Sequence, residues 1–383
     1  MHMSYSAAVG TDRHLLGSST ITELRRRDEP FNTRIGRTPL PVALGAVADV
    51  APIHEADGSV WLLLTEQGKL VRFDAGTGEC VSAAKTDLRA EPERNVWNKR
   101  LPRRRLTVSP LGEFAAVVTD YGRYGQVLDL SSGRPTMALD GGDYFPETVP
   151  FSLTFAEVRG RTILVHRTSW NRLDISDPAT GKLLTERGPT SYRSGEQQPE
   201  HYLDFFHGAL HVSPGSKRIL NDGWVWHPIG VLTTWCIEPW LSENAWESED
   251  GPSKLDVCAR EEWDRGATWI DDQRLAISGL GEDEEKMSAG ARVFDASSVG
   301  PPGPNRHEGR WARELIAFPG PAGSFFSDGT WLFSSDPSGL SRWDPGTGEL
   351  TGQIPGFEAR WYHRGARELA QITDQTLVRV SLL

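Results

Sequence analysis

The sequence predicts an all-β fold, a seven-bladed β-propeller of four-stranded antiparallel blades. Three observations lead there: a turn signature that returns about every fifty residues, a second turn that precedes it in each repeat, and a composition rich in turn formers. Glycine (39) and proline (25) together make 64 of the 383 residues, which favours many turns over long helices.

The first signature is D-x-x-[ST]-G. It occurs in LVRFDAGTGEC at Asp74, VLDLSSGRP at Asp129, ISDPATGKL at Asp177 and SRWDPGTGEL at Asp344, with a weaker copy, RVFDASSVG, at Asp295. The Asp carboxylate accepts a backbone N–H two residues on, and the glycine adopts the positive φ that closes the turn. Short strand-like stretches flank each copy, such as Leu70, Val71 and Phe73. The copies lie 55, 48, 118 and 49 residues apart, so the long interval holds two periods and a decayed copy near residues 230 to 240.

About twenty residues before each such turn stands a second element of the form strand, turn, strand. LTVSPLGEFAAVVTD (from Leu106) and LHVSPGSKRILND (from Leu210) carry S-P-x-G or S-P-G. Looser versions begin at Ile53, Phe155, Trp269, Phe325 and Trp361, making seven in all. Each repeat therefore reads as strands A and B joined by a tight turn, a variable loop, then strands C and D joined by D-x-x-[ST]-G. Together the two turns resemble those of bacterial WD-repeat-like and quinoprotein-like seven-bladed propellers, from about Val42 to Leu383. The resemblance implies architecture and leaves function open, because propellers host unrelated activities.

The chain ends in TLVRVSLL, the third strand of the seventh repeat. A blade lacking its outer strand would expose an edge. A strand from the N-terminal segment, within Leu15 to Leu44, is therefore expected to close the ring; the alternative for TITELRRR is a short helix capped by Thr20 and Glu23. The expected division is residues 1–44 as the closing segment and 45–383 as the propeller, forming a single domain.

Charge narrows the partners. A net charge of −11 disfavours nucleic acid and anionic membrane surfaces. No N-terminal apolar core or membrane-length apolar run occurs, which reads as a cytoplasmic protein. Cys80, Cys236 and Cys258 lack metal-site or disulfide-framework spacing. No cofactor is implied, and phosphate-loop, nucleophile-elbow and kinase signatures are absent.

In this reading the A–B and C–D turns are all short, and the long connections gather on the other face: 85–105, 140–150, 187–204, 240–265 and 298–319 between blades, with 222–228 and 279–289 within them. Insertions on one face of a repeat protein point to a binding surface. Of the fourteen tryptophans, Trp61, Trp269, Trp331, Trp343 and Trp361 suit packing between blades. Candidate binding residues on the long-loop face are Tyr121, Tyr144, Trp97, Trp170, Trp224 and Trp226, with Arg104 from the basic run Lys99 to Arg105.

The first functional expectation is a non-enzymatic propeller binding a protein or peptide partner, or a small-molecule ligand, on that face. The second is an enzyme with acid/base groups at the channel mouth, drawn from His166, His227, Asp120 and Asp222. Against it stands the ordinary role of such Asp residues, bonding the backbone of their own turns.

Overall fold

The computed structural model describes residues 21–27, 29–54, 58–88, 91, 100–192, 195–226, 228–281, 287–300 and 309–383. The recurring turns form as their chemistry dictates. Asp74 accepts the N–H groups of Gly76 (2.7 Å) and Thr77 (3.0 Å), while Gly78, at φ 79°, donates its N–H to the Asp74 carbonyl (2.8 Å). Asp129, Asp177 and Asp344 repeat the arrangement. In the A–B turns, Ser109 Oγ accepts from Glu113 and Phe114, and Ser213 Oγ from Lys217 and Arg218.

Strand β1 (Thr33–Pro39) is first in the chain and last in the ring. Blade 1 comprises β2 (Val47–Ile53), β3 (Val60–Thr65), β4 (Lys69–Asp74) and β5 (Cys80–Lys85); blade 2 comprises β6 (Arg103–Val108), β7 (Phe114–Asp120), β8 (Tyr124–Asp129) and β9 (Arg134–Asp140). Blade 3 has β10 (Leu153–Val158), β11 (Arg161–Ser169) and β12 (Arg172–Ser176). Blade 4 has β13 (Phe206–Val212), β14 (Arg218–Val225) and β15 (Ile229–Cys236), then helices α1 (Ile237–Ser242) and α2 (Glu247–Asp250), then β16 (Leu255–Arg260). Blade 5 is β17 (Ala267–Trp269), β18 (Arg274–Leu280), β19 (Ser288–Val299) and β20 (Ala312–Pro319). Blade 6 is β21 (Ser324–Ser327), β22 (Leu332–Asp336), β23 (Gly339–Trp343) and β24 (Leu350–Pro355); blade 7 is β25 (Trp361–His363), β26 (Glu368–Thr373) and β27 (Thr376–Leu382), completed by β1.

First strands touch in ring order, β2 with β6, β10 with β13, β13 with β17, β17 with β21 and β25 back to β2. The chain is thus a seven-bladed β-propeller, all-β but for short helices. Among the described residues no helix is long and apolar enough to cross a membrane.

The expected closing strand is β1, antiparallel to β27 from Thr33↔Leu382 to Pro39↔Thr376. The earlier stretch 21–27 is not the alternative helix. Its backbone runs beside the outer strand of blade 6, with Arg27 N–H on the Leu350 carbonyl (3.0 Å) and Leu350 N–H on that of Arg25 (3.0 Å). Between blades the core is apolar. Trp61 packs at the junction of blades 7 and 1, Trp269 between 4 and 5, and Trp343 between 5 and 6. Asp49 pins three blades at once, accepting from Leu106 N–H (2.7 Å), Trp361 Nε1 (2.8 Å) and Val50 N–H (2.8 Å). Burial pushes its carboxyl up, and these hydrogen bonds act in the opposite direction.

Two expectations need correction. The long connections are divided between the faces: the segment 237–254 joins strands C and D of blade 4, on the face of the short turns, and β19 and β20, which flank the connection whose residues 301–308 lie outside the described residues, are strands C and D of blade 5 rather than strands of successive blades. The segment with α1 and α2 occupies the place of the decayed D-x-x-[ST]-G copy. Blade 3, in turn, has three strands instead of four, and the Ser176 to Leu183 bridge is what marks its outer position.

These departures compensate each other. Ile237 and Trp240 of α1 pack with Leu173 and Ile175 of blade 3. Arg187, beside β12, holds Asp174 (2.5 Å) and Glu249 of α2 (2.6 Å) in one buried network. The insertion of blade 4 thereby covers the flank that blade 3 leaves open.

Candidate functional site

The described candidate residues fall into separate groups on and beside the face that carries the B–C turns and the connections between blades. Tyr121, at φ 58° in the turn after β7, donates its hydroxyl to Asp264 and accepts from Arg100 Nη1 (2.6 Å). Arg100 also bonds the Trp263 carbonyl (3.0 Å), with its guanidinium 4.8 Å from that indole ring. Trp263 Nε1 donates to the Thr148 carbonyl (2.8 Å). Tyr121 belongs to blade 2, Thr148 precedes blade 3, and Trp263 and Asp264 lie between blades 4 and 5, so these contacts span the mouth of the ring. Burial and the Asp264 carboxylate push the Tyr121 hydroxyl well above the ordinary tyrosine range, keeping it a neutral donor.

Asp120 and Asp222 are blade clamps. Asp120 accepts from Arg105 Nε (3.0 Å) and from Phe151 N–H (3.1 Å) of the next blade. Arg105 Nη2 adds a bond to the Phe151 carbonyl (2.6 Å). Asp222 holds Arg260 (2.5 Å) and the Asp264 N–H (2.8 Å). Burial raises the Asp222 carboxyl, and Arg260 opposes that rise. His166 is buried in β11, its Nε2 2.9 Å from Ser176 Oγ. Across from it, Asp174 is engaged by Arg172, Arg187, Thr168 and Thr185. An imidazole with a carboxylate in hydrogen-bond reach is therefore not assembled at His166. His227 and Trp97 lie outside the described residues.

Arg104 sits apart from the mouth, donating to the carbonyls of Glu66 (3.1 Å) and Leu88 (3.3 Å). A cleft of about 350 Å³ lies on the opposite face, between the helical insertion and the end of β19, and is lined by Arg218, Glu247, Ser253 and Val299. Arg218 is already engaged there by Cys236 Sγ (3.0 Å) and the Ser253 carbonyl (2.9 Å).

Above blades 3 and 4 the remaining candidates form two aromatic layers. Phe206, Trp224 and Trp263 are the buried floor, with Trp224 5.2 Å from Phe206 and 5.7 Å from Trp263. On it rest Tyr144 (44% exposed), Phe145 (40%) and Trp226 (42%). Phe145 meets Tyr144 at 4.9 Å and Trp226 at 5.0 Å, and Tyr144 meets Trp170 at 4.9 Å. Tyr202 and Tyr192 extend the layer beyond Trp170. Burial and the Asp204 carboxylate push the Tyr202 hydroxyl up to about 12.

Sequence reasoning found Tyr144, Trp170 and Trp226 of the upper layer; Trp224 lies beneath it. It missed Phe145, Tyr202 and Phe206, whose signal was the aromatic pairing in DYFPE and HYLDFF. Arg100 fell within the basic run Lys99 to Arg105, of which only Arg104 was singled out, and Asp264 carries no local signature. Chemically the Tyr121, Arg100 and Asp264 cluster is a polar knot, and the aromatic layer is a surface suited to stacking and cation–π contact.

No family model matches this sequence, and no curated protein does. Among solved structures the chain is similar to one in the crystal structure of a mitotic checkpoint complex, at 12% identity and a TM-score of 0.50, over 96% of this chain and 99% of that one. At that identity the likeness shows the fold alone.

Two outcomes follow from this geometry. Trp224→Ala should lose about 3 to 5 kcal/mol in urea unfolding and Trp226→Ala under about 1 kcal/mol, and equal losses would contradict the layered arrangement. Burial depresses the His166 pKa, so the folded state binds fewer protons there than the unfolded chain. Its contribution to stability is therefore present above the unfolded value of ~6.5 and is lost as pH falls below that value. NMR titration of the His166 ring should show protonation below pH ~6.5; a midpoint above ~7 would indicate an acid/base group after all.

Proposed function

We propose that this propeller is a non-enzymatic scaffold that docks a protein or peptide segment on the aromatic face over blades 3 and 4. The observation carrying the reading is the pair of aromatic layers. Three contiguous rings stand in solvent at Tyr144, Phe145 and Trp226, although a buried aromatic floor lies directly beneath them. Monomeric surfaces rarely leave large apolar side chains grouped in this way, and aromatic rings over a packed base are the usual anchors of protein interfaces. Rings fixed by their neighbours also lose little conformational freedom on binding.

The contacts among Tyr121, Asp264 and Arg100 favour docking over chemistry at that cluster. A substrate at the axis would have to displace the Tyr121, Asp264 and Arg100 contacts, whereas a segment lying on the outer rings displaces only water.

A photo-crosslinking amino acid at position 226, in cells expressing the chain, should give a discrete adduct that disappears when Tyr144 and Phe145 are changed to alanine. The same probe at Leu111, exposed on the opposite face, should not give it. Identical adducts from both positions, or an adduct that survives the alanine changes, would defeat this assignment.

A further inference from the structure

We propose, building on the docking reading above, that the segment seated on the aromatic face is cationic, a stretch of chain bearing arginine or lysine. Two independent observations converge on that chemistry.

The first is how this protein treats its other aromatic groups. Arg100 lies 4.8 Å from the Trp263 ring centre, Arg187 5.2 Å from that of Trp246, and Arg342 4.6 Å from those of both Phe31 and Trp331. Guanidinium groups of the chain itself thus cap aromatic faces in several blades. Among the described residues, none caps Tyr144, Phe145 or Trp226. The face is electron-rich and, among the described residues, has no internal cation of the kind that comparable faces carry.

The second is the charge around it. The segments 141–152 and 195–206, which supply Tyr144, Phe145 and the flanking strand, contain no lysine or arginine. They carry the exposed carboxylates Asp143, Glu200 and Asp204; Asp143 adjoins Tyr144 in the chain, and Asp204 is close enough to raise the Tyr202 hydroxyl. The Arg123 guanidinium is committed to Asp140 at 2.6 Å and reaches Asp143 only at 3.9 Å. A cation lying on the rings therefore meets carboxylates at its edge, and both terms act in the same direction. A phosphate-bearing or acidic partner would meet like charge at Asp143, beside Tyr144. Arginine suits the site best, because its planar group stacks on a ring while its edge donates to carboxylates.

The test is fluorescence anisotropy at physiological salt, using labelled peptides that alternate glycine with arginine, serine or glutamate. The arginine peptide should bind about tenfold or more tightly than the serine peptide, and the glutamate peptide should not bind. Asp143→Lys with Asp204→Lys should weaken arginine-peptide binding about tenfold. Glu79→Lys with Glu113→Lys, the same charge change on the opposite face, should change it less than about twofold. Circular dichroism of every variant confirms that it is folded.

Equal weakening by both lysine pairs would mean general attraction to an acidic chain and would overturn the proposal. Equal binding of serine and arginine peptides, lost in Tyr144→Ala with Trp226→Ala, would overturn the cationic inference and leave the docking reading intact. Arginine-peptide binding that survives loss of those two rings would remove the docking surface itself.

Discussion

Every blade depends on the ladder between β1 and β27. A propeller blade buries its faces against its two neighbours, so an open ring leaves two blades each with one face in water. Without β1, β27 would also present a row of unpaired backbone groups. The seam is held by side-chain to backbone hydrogen bonds and by apolar packing. Thr38 Oγ1 and Arg379 Nη2 both donate to the Ala75 carbonyl, at 2.6 Å and 2.8 Å. His363 Nε2 lies 3.1 Å from the Val60 carbonyl, and Trp61, Phe73, Ala370 and Leu377 pack in one apolar cluster across the junction. The first and last strands of the propeller thus meet in a single blade, which makes blade 7 a lock on the other six.

Blade 3 solves a related problem by other means. Its outer strand is reduced to one bridge, and the exposed flank of β12 is covered by side chains and by the helical insertion of blade 4. Thr185 Oγ1 accepts the Ile175 N–H (2.9 Å), and Arg187 Nη2 donates to the Leu173 carbonyl (2.7 Å), each replacing a ladder bond. An insertion that counted as functional surplus by length is here an edge cover. The aromatic face, by contrast, is carried by the connections 140–150 and 187–204 and by the turns after β11 and β14.

What could be read from the sequence follows from how local the physics is. The Asp74, Asp129, Asp177 and Asp344 turns are closed by residues within four positions of one another, so their chemistry was visible as a motif. From their spacing came the repeat, the blade number and the missing outer strand. Placement of 237–254 went astray because LDVCAR, the strand after the insertion, has no turn signature before it; once β16 was missed, the insertion looked like a connection between blades. The contact of Tyr121 with Asp264 joins residues 143 apart, and Arg100 with Asp264 residues 164 apart. Such convergence across a ring has no fixed spacing. The candidate site was accordingly legible as a face and as a residue type, aromatic, whereas the separation of Trp224 as floor from Trp226 as surface needed the register of β14.

The central physical claim is that β1 belongs to the cooperative ring rather than lying upon it, and amide hydrogen exchange tests this most directly. In native conditions the hydrogen-bonded amides of Thr33–Pro39 should exchange as slowly as those of β27 and respond to denaturant with the same slope, because both open only when the ring does. Exchange of β1 amides that is orders of magnitude faster than in β27, with little denaturant dependence, would mean that the N-terminal strand frays independently and would contradict the account.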